Sequence, residues 1–117
     1  MPPGERYRKK LQKKYGANPK ESAGAKKTPF HVLPIRVLWD VAEAMGEGAR
    51  KYGPFNYRKA GVNYSTYFAS TMRHMFAWYE GEDIDEESGL NHIDKAIAGL
   101  LVLKDSIIEG NANDDRP

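Results

Sequence analysis

A dense run of acidic residues is the segment of this chain best equipped for chemistry. Six of the eight residues in 80–87 are carboxylates, and Ser88, Gly89 and His92 follow shortly after. Carboxylates this close together repel one another unless water or a cation lies between them. Hard cations such as Mg²⁺ and Mn²⁺ prefer these oxygen ligands. The run therefore predicts either a divalent-metal site or a solvated acidic turn, and this segment alone leaves both open.

A second acidic set precedes it. Asp40, Glu43 and Glu47 follow one another at spacings of three and four residues, which places them on one side of a helix. Basic residues one turn away on either side would neutralise them as simple surface ion pairs. The alternative is that they face a cleft and hold a metal ion together with Glu82 and Asp85, which form an E-x-x-D unit.

The segment between these acidic sets mixes aromatic and polar side chains. Lys51 and Arg73 are candidate phosphate contacts, because a guanidinium offers a bidentate fork and an ammonium a point charge. Phe55, Asn56 and Tyr57 would supply a stacking surface and amide hydrogen bonds to a nucleobase. An ordinary loop that packs its aromatic rings against a helical bundle explains the same residues.

Some kinds of catalysis are excluded. The chain has no Cys, no P-loop, no G-x-S-x-G and no H-E-x-x-H motif. His74 and His92 flank the acidic run, although a lone His is more often structural than a ligand. Metal-assisted attack by water is the chemistry that remains, and clustered carboxylates are its usual equipment.

Length and charge divide the chain into three parts. Its 117 residues suit one domain, and no apolar run approaches a membrane span, so we expect a soluble, cytoplasmic protein without a membrane partner. Residues 1–27 carry nine Lys/Arg and two Glu, a net +7, whereas the other 90 residues carry nine basic and fourteen acidic groups, a net −5. We expect a flexible basic arm at 1–28, a folded domain at 29–110 and a flexible tail at 111–117.

Hydrophobic periodicity predicts three main helices, at about 34–51, 63–80 and 90–109. Leu38, Val41, Ala42, Met45 and Ala49 mark the expected buried face of the first. Residues 96–103 are all uncharged, so the third helix should be buried on more than one side, and a second subunit would have to cover part of it. The prediction is a small all-α bundle that forms a homo-oligomer, a dimer or a tetramer.

Two stretches resemble the signatures of a known family. Residues 48–58 read GARKYGPFNYR, similar to G-A-x-K-Y-G-x-x-N-W-R, and residues 73–92 resemble R-H-x-x-x-W-x-x-G-E-D-x-D-x-E-S-G-x-x-H. Both signatures are those of the bacteriophage dATP/dGTP diphosphohydrolases, MazZ-like relatives of the all-α MazG nucleotide pyrophosphohydrolases. Tyr57 stands where relatives often have Trp, and Lys95 where many have a second His. The resemblance covers about residues 26–104.

The resemblance implies hydrolysis of a purine deoxynucleoside triphosphate, dGTP or dATP, to the monophosphate and pyrophosphate. It implies that two carboxylate pairs hold Mg²⁺ or Mn²⁺: the first is Asp40 with Glu43, or Glu43 with Glu47, and the second is Glu82 with Asp85. Of these residues, all but Asp40 are also implied to act in catalysis. The implied substrate contacts are Lys27, Lys51, Tyr52, Asn56, Tyr57, Arg73, His74 and His92.

The basic arm supports a function of another class. A segment with a net charge of +7 attracts phosphate backbones without sequence preference. The alternative to an enzyme is therefore a phage protein that binds nucleic acid or a host partner through its arm and catalyses nothing. Weak non-specific contact between the arm and nucleic acid is also compatible with the enzyme.

Overall fold

The structure is a computed structural model that describes residues 3–15 and 18–117, and it is mostly helical. Its elements are α1 (Pro3–Tyr15), α2 (Pro19–Gly24), a 3₁₀ turn (Phe30–Val32), α3 (Ile35–Tyr52), α4 (Asn56–Ala60), β1 (Val62–Asn63), α5 (Tyr64–Tyr79), α6 (His92–Glu109) and β2 (Ala112–Asn113). The all-α fold is confirmed. The three main helices begin and end within two residues of the predicted bounds, and the segment between the first two contains the short helix α4.

The chain divides into two compact units, Met1–Ile35 and Arg36–Pro117. In the first unit, the Tyr7 hydroxyl lies 2.5 Å from Nε2 of His31. The Asn18 side chain caps α2 by accepting a hydrogen bond from the backbone N–H of Lys20 at 2.9 Å. The flexibility of the basic arm stays a prediction, and its residues 1–2 and 16–17 lie outside the described residues.

The second unit has a small core between α3 and α6. Val41, Ala44 and Ala98 are its buried members, and Met45, Leu90 and Ile97 pack against them. The buried face of α3 differs from the predicted one, because Leu38 is 41 % exposed and Ala42 is exposed as well. The described core contacts of α3 are made by Val41, Ala44 and Met45, so the side of the helix in the core is narrower than the predicted face.

Helix α6 has well-defined ends. The Asn91 side chain accepts a hydrogen bond from Ile93 N–H at 2.7 Å, and Gly110 ends the helix with a left-handed φ of 75°. Within this single chain only one side of the helix is buried, since Leu100 and Leu101 are 52 % and 46 % exposed. Cover by a second subunit therefore stays a prediction.

The last residues contact the start of α5. Strand β2 pairs in parallel with β1, with Val62 opposite Ala112 and Asn63 opposite Asn113. The Asp115 carboxylate accepts hydrogen bonds from the Ser65 backbone N–H at 2.9 Å and from the Ser65 hydroxyl. This carboxylate satisfies one of the free N–H groups of the first turn of α5. Whether the tail is flexible in solution stays a prediction.

Candidate functional site

The second unit contains a cavity of about 450 Å³. It lies between the carboxyl-terminal half of α3, the start of α4, and α5 and α6. Its lining residues are Ala44, Met45, Gly46, Glu47, Gly48, Ala49, Lys51, Tyr52, Gly53, Pro54, Phe55, Asn56, Tyr57, Tyr67, Ser70, His74, Lys95, Ala98, Gly99 and Val102. Small residues on α3 and α6 leave the space, and Glu47 is the one acidic residue among the described lining.

Glu47 holds two ammonium groups at one end of this cavity. Its Oε1 lies 2.7 Å from Nζ of Lys51, one turn along α3, and its Oε2 accepts a hydrogen bond of 2.7 Å from Nζ of Lys95 on α6. The Glu47 side chain is only 13 % exposed. Hydrogen bonds from Lys51 and Lys95 lower the pKa of Glu47, and the same carboxylate raises the pKa of Lys51. This lysine–glutamate cluster (Glu47, Lys51 and Lys95) therefore carries a net charge of +1.

Aromatic side chains form another part of the cavity wall. The Phe55 and Tyr57 rings lie 6.1 Å apart, and Tyr52 and Tyr67 complete this aromatic wall. Burial raises the pKa of Tyr67, which keeps its hydroxyl protonated. Phe55 adopts a left-handed φ of 55°, an unusual conformation for a bulky residue. Such strain persists where the surrounding structure fixes it, often at binding sites.

The two histidines form a pair beside the cavity. Their Nδ1 atoms are 2.9 Å apart, His74 lines the cavity, and His92 is 4 % exposed. Burial lowers the pKa of His74, so its neutral form prevails at pH 7. Nε2 of His92 is buried without a hydrogen bond among the described residues, although Glu82 Oε1 lies 3.4 Å away at ion-pair distance.

Within the acidic run, Asp85 organises the backbone. Its carboxylate accepts a hydrogen bond of 2.8 Å from the Ser88 hydroxyl and a longer one from the Ser88 N–H. Asp85 N–H donates to Leu90 O, and His92 N–H donates to Asp83 O. Burial raises the pKa of Asp85, but the hydrogen bonds from Ser88 and Glu87 lower it on balance. This part of the run is thus an ordered turn.

The five carboxylates predicted to hold metal have separate surroundings. Glu47 binds the two lysines, Glu82 faces His92, Asp85 binds Ser88, Asp40 lies 3.4 Å from Arg36, and Glu43 is exposed. Across residues 3–15 and 18–117, no three Asp, Glu or His side chains form a group suited to a metal ion. In this arrangement the five carboxylates do not form the metal site that the resemblance implies. Their assignment as metal ligands stays a prediction.

The predicted substrate contacts are brought together in part. Lys51, Tyr52, Asn56, Tyr57 and His74 all line the cavity. Arg73 and His92 are not part of the lining: Arg73 is exposed, and the buried His92 contacts His74. Lys27 belongs to the first unit, and its role stays a prediction.

Sequence reasoning gave no role to Lys95 of α6, which lines the cavity. Lys95 shares one face of the helix with Ala98, Gly99 and Val102, a spacing of three, four and seven residues that was available in the sequence. Its neighbour Asp94 is outside the cavity lining. Burial and the nearby charge of Asp40 raise the pKa of Asp94, an interaction that depends on how α3 and α6 pack.

The chain is similar to a known protein family and to a phage enzyme. Residues 17–116 match the family model described as dATP/dGTP diphosphohydrolase, N-terminal. A dATP/dGTP diphosphohydrolase of Salmonella phage PMBT28 is 28 % identical over 90 residues, which cover 77 % of this chain and 30 % of the relative. The chain thus spans about a third of that relative's length. No solved structure matches it significantly.

In the part of the chain that the structure describes, no helix is both long and apolar enough to cross a membrane.

The family match extends over nearly the whole chain and includes both signature stretches, 48–58 and 73–92, from which the resemblance was inferred. The chain therefore belongs to the family of dATP/dGTP diphosphohydrolase N-terminal domains.

Proposed function

We propose that this protein hydrolyses a purine deoxynucleoside triphosphate, dGTP or dATP, to the monophosphate and pyrophosphate. The observation that carries the proposal is a cavity with cationic and aromatic walls in a chain of this family. Its volume of about 450 Å³ lies within the range of small-molecule sites. Lys51 provides positive charge for phosphate, and the aromatic wall provides a flat surface for a base.

The polar lining supports recognition of a nucleotide. Asn56 and Ser70 contribute hydrogen-bonding groups beside the aromatic wall, and neutral His74 adds a ring nitrogen. In the proposed reaction, a water oxygen attacks the α-phosphorus and the bond from that phosphorus to the bridging oxygen breaks. Negative charge then shifts to the departing pyrophosphate, where the ammonium of Lys51 stabilises it.

A requirement for Mg²⁺ or Mn²⁺ is part of the proposal. Such an ion supplies charge neutralisation and an acidified water when it is bound. The described residues offer no three-ligand site, so no step here is routed through a protein-bound ion.

The exposed apolar surface supports a homo-oligomer. Phe68 and Phe76 on α5, and Ile108 on α6, are more than 60 % exposed, as is Trp39 on α3. Apolar surface of this extent is typical of a subunit interface. Light scattering coupled to size-exclusion chromatography should give a mass of two or four chains, and a monomer at micromolar concentration would contradict the assignment.

The test of the activity is a pyrophosphate-release assay with each of the four deoxynucleoside triphosphates. Each is assayed with Mg²⁺, with Mn²⁺ and with EDTA. We expect release from dGTP or dATP in the presence of a divalent ion, and a strong loss for Lys51→Met compared with the control Lys59→Met, which is outside the cavity lining. Inert behaviour with all four substrates would end the proposal.

One observation favours the second candidate function, binding of nucleic acid. Helix α1 carries Arg6, Arg8, Lys9, Lys10 and Lys13 within 13 residues. A chain without residues 1–27, and a second one cut after Ser22, separate the two ideas. Binding through the arm predicts that salt-sensitive DNA affinity and function are lost together, whereas the enzyme predicts that hydrolysis is mostly retained.

A further inference from the structure

We infer that Lys95 is a second phosphate-binding residue, and that Glu47 positions the Lys95 and Lys51 ammonium groups as one anion site for the substrate's polyphosphate. The substrate class rests on the proposed function. The site itself rests on the geometry of the lysine–glutamate cluster. The sequence and the family resemblance predicted Glu47 as a metal ligand and gave Lys95 no role.

Donor count is the first argument for this site. Each ammonium has three N–H donors, and one from each lysine is directed at a different oxygen of Glu47. Among the described residues these ammonium groups make no further hydrogen bond, so two donors remain on each lysine, and both residues line the cavity. One carboxylate therefore holds two ammonium groups at a fixed separation while most of their donors stay available to a ligand with several oxygens.

Charge is the second argument. The Lys95 side chain is 18 % exposed, and the Glu47 side chain 13 %. A structural ion pair in such surroundings needs one lysine for one carboxylate, because each further charge removed from water adds a desolvation cost. In the described part of the chain, the other carboxylate within ion-pair distance of the cluster belongs to Glu87, whose Oε1 lies 4.0 Å from the Lys51 ammonium and whose side chain is 84 % exposed. Solvent screens that pair, so the surplus positive charge of the cluster is available to an anion that enters the cavity.

The position of the cluster is the third argument. Lys95 lies on the same face of α6 as Ala98 and Gly99, two small residues that leave room in the cavity beside it. The aromatic wall belongs to the same cavity. A nucleotide with its base on that wall would place its phosphates in reach of a cationic site within one connected space.

Calorimetric titration with inorganic pyrophosphate, in EDTA, tests the site without turnover and without metal. We expect binding to the wild-type chain and a loss of roughly tenfold to a hundredfold in affinity for Lys95→Met, the effect of removing charge-assisted hydrogen bonds. Lys95→Arg keeps the charge and should retain most of the affinity. The matched control is Lys104→Met, which removes an exposed ammonium from the same helix outside the cavity lining. Thermal unfolding confirms that each variant is folded.

The outcomes separate this inference from the proposed function. Equal pyrophosphate affinity for wild type, Lys95→Met and Lys104→Met, or no binding by wild type, would overturn the anion site even if dGTP is hydrolysed. In that case the KM for dGTP should also be unchanged in Lys95→Met. Loss of binding in Lys95→Met alone would support the anion site even if no deoxynucleotide is turned over, and the proposed activity would then fail by itself.

Discussion

Replacing Glu47 by Gln removes the negative charge of the lysine–glutamate cluster while keeping the shape of the side chain. The two hydrogen bonds lost or weakened are both 2.7 Å long, but their surroundings differ. Lys51 is 44 % exposed, so solvent screens its bond and that bond contributes little to the free energy of unfolding. Lys95 is 18 % exposed, so its charge-assisted bond contributes about 1.5–3 kcal/mol.

An amide restores part of this contribution, because its oxygen still accepts from one lysine. The amide nitrogen, however, is a donor and cannot pair with the other ammonium. We therefore expect Glu47→Gln to lower the free energy of unfolding by about 2 kcal/mol at pH 7. Urea unfolding monitored by circular dichroism measures this, since a change in the midpoint at constant slope reports stability.

The pH dependence of this difference tests its cause. Because the pKa of Glu47 is lowered in the folded protein, its contribution is fully present above the ordinary value of 4.5 and is lost as the pH falls through the folded pKa. The gap between wild type and Glu47→Gln should shrink below about pH 4.5. A gap under about 0.5 kcal/mol at pH 7, or one that persists unchanged at low pH, would refute the reasoning.

Three further predictions concern residues outside this cluster. The family resemblance implies Glu43 as a metal ligand, so Glu43→Gln should abolish turnover. Because Glu43 is exposed, the metal-free thermal midpoint should stay nearly unchanged. Retained turnover would make Glu43 a surface residue without a catalytic role. In Gly99→Ala the new Cβ would lie 3.1 Å from Thr71 Oγ1. We therefore expect the free energy of unfolding, measured with urea, to fall by about 1 kcal/mol despite the better helix propensity of Ala, and to recover when Thr71→Ala is added. A stabilised single variant would contradict the tight contact. Two hydrogen bonds from Arg58 lower the pKa of Asp105. Asp105→Asn should therefore destabilise the protein above about pH 4, and progressively less as the pH falls through the folded pKa. Thermal unfolding at several pH values measures this, and a difference between wild type and Asp105→Asn that widens in acid would contradict the pairing.

Local sequence signals were sufficient for the helices. The spacing of apolar residues predicted the positions of α3, α5 and α6, because the periodicity of an amphipathic helix can be recognised within a window of about 15 residues. Their ends follow from Asn91, Gly110 and the Gly53–Pro54 pair, which act within a few residues of themselves. The family signatures were also readable, since they are contiguous.

The partners of individual side chains were harder to predict from the sequence. Asp85 was predicted as a metal ligand, which stays a prediction, and the sequence did not show that its carboxylate accepts hydrogen bonds from Ser88, three residues away, within a tight turn. Glu47 was assigned with Asp40 and Glu43 because all three share a helix face. That grouping ignored Lys95, which lies 48 residues further along the chain.

The sequence by itself determined which residue types are present, where the main helices run and which family the chain resembles, because each of these depends on neighbours in the chain. Only the tertiary structure decided that α6 presents an ammonium group to a carboxylate of α3, and that Tyr52, Phe55 and His74 line the same cavity. The physical reason is that a charge's pairing depends on distance in space, and the packing of α6 against α3 through Val41, Ala44 and Ala98 sets that distance.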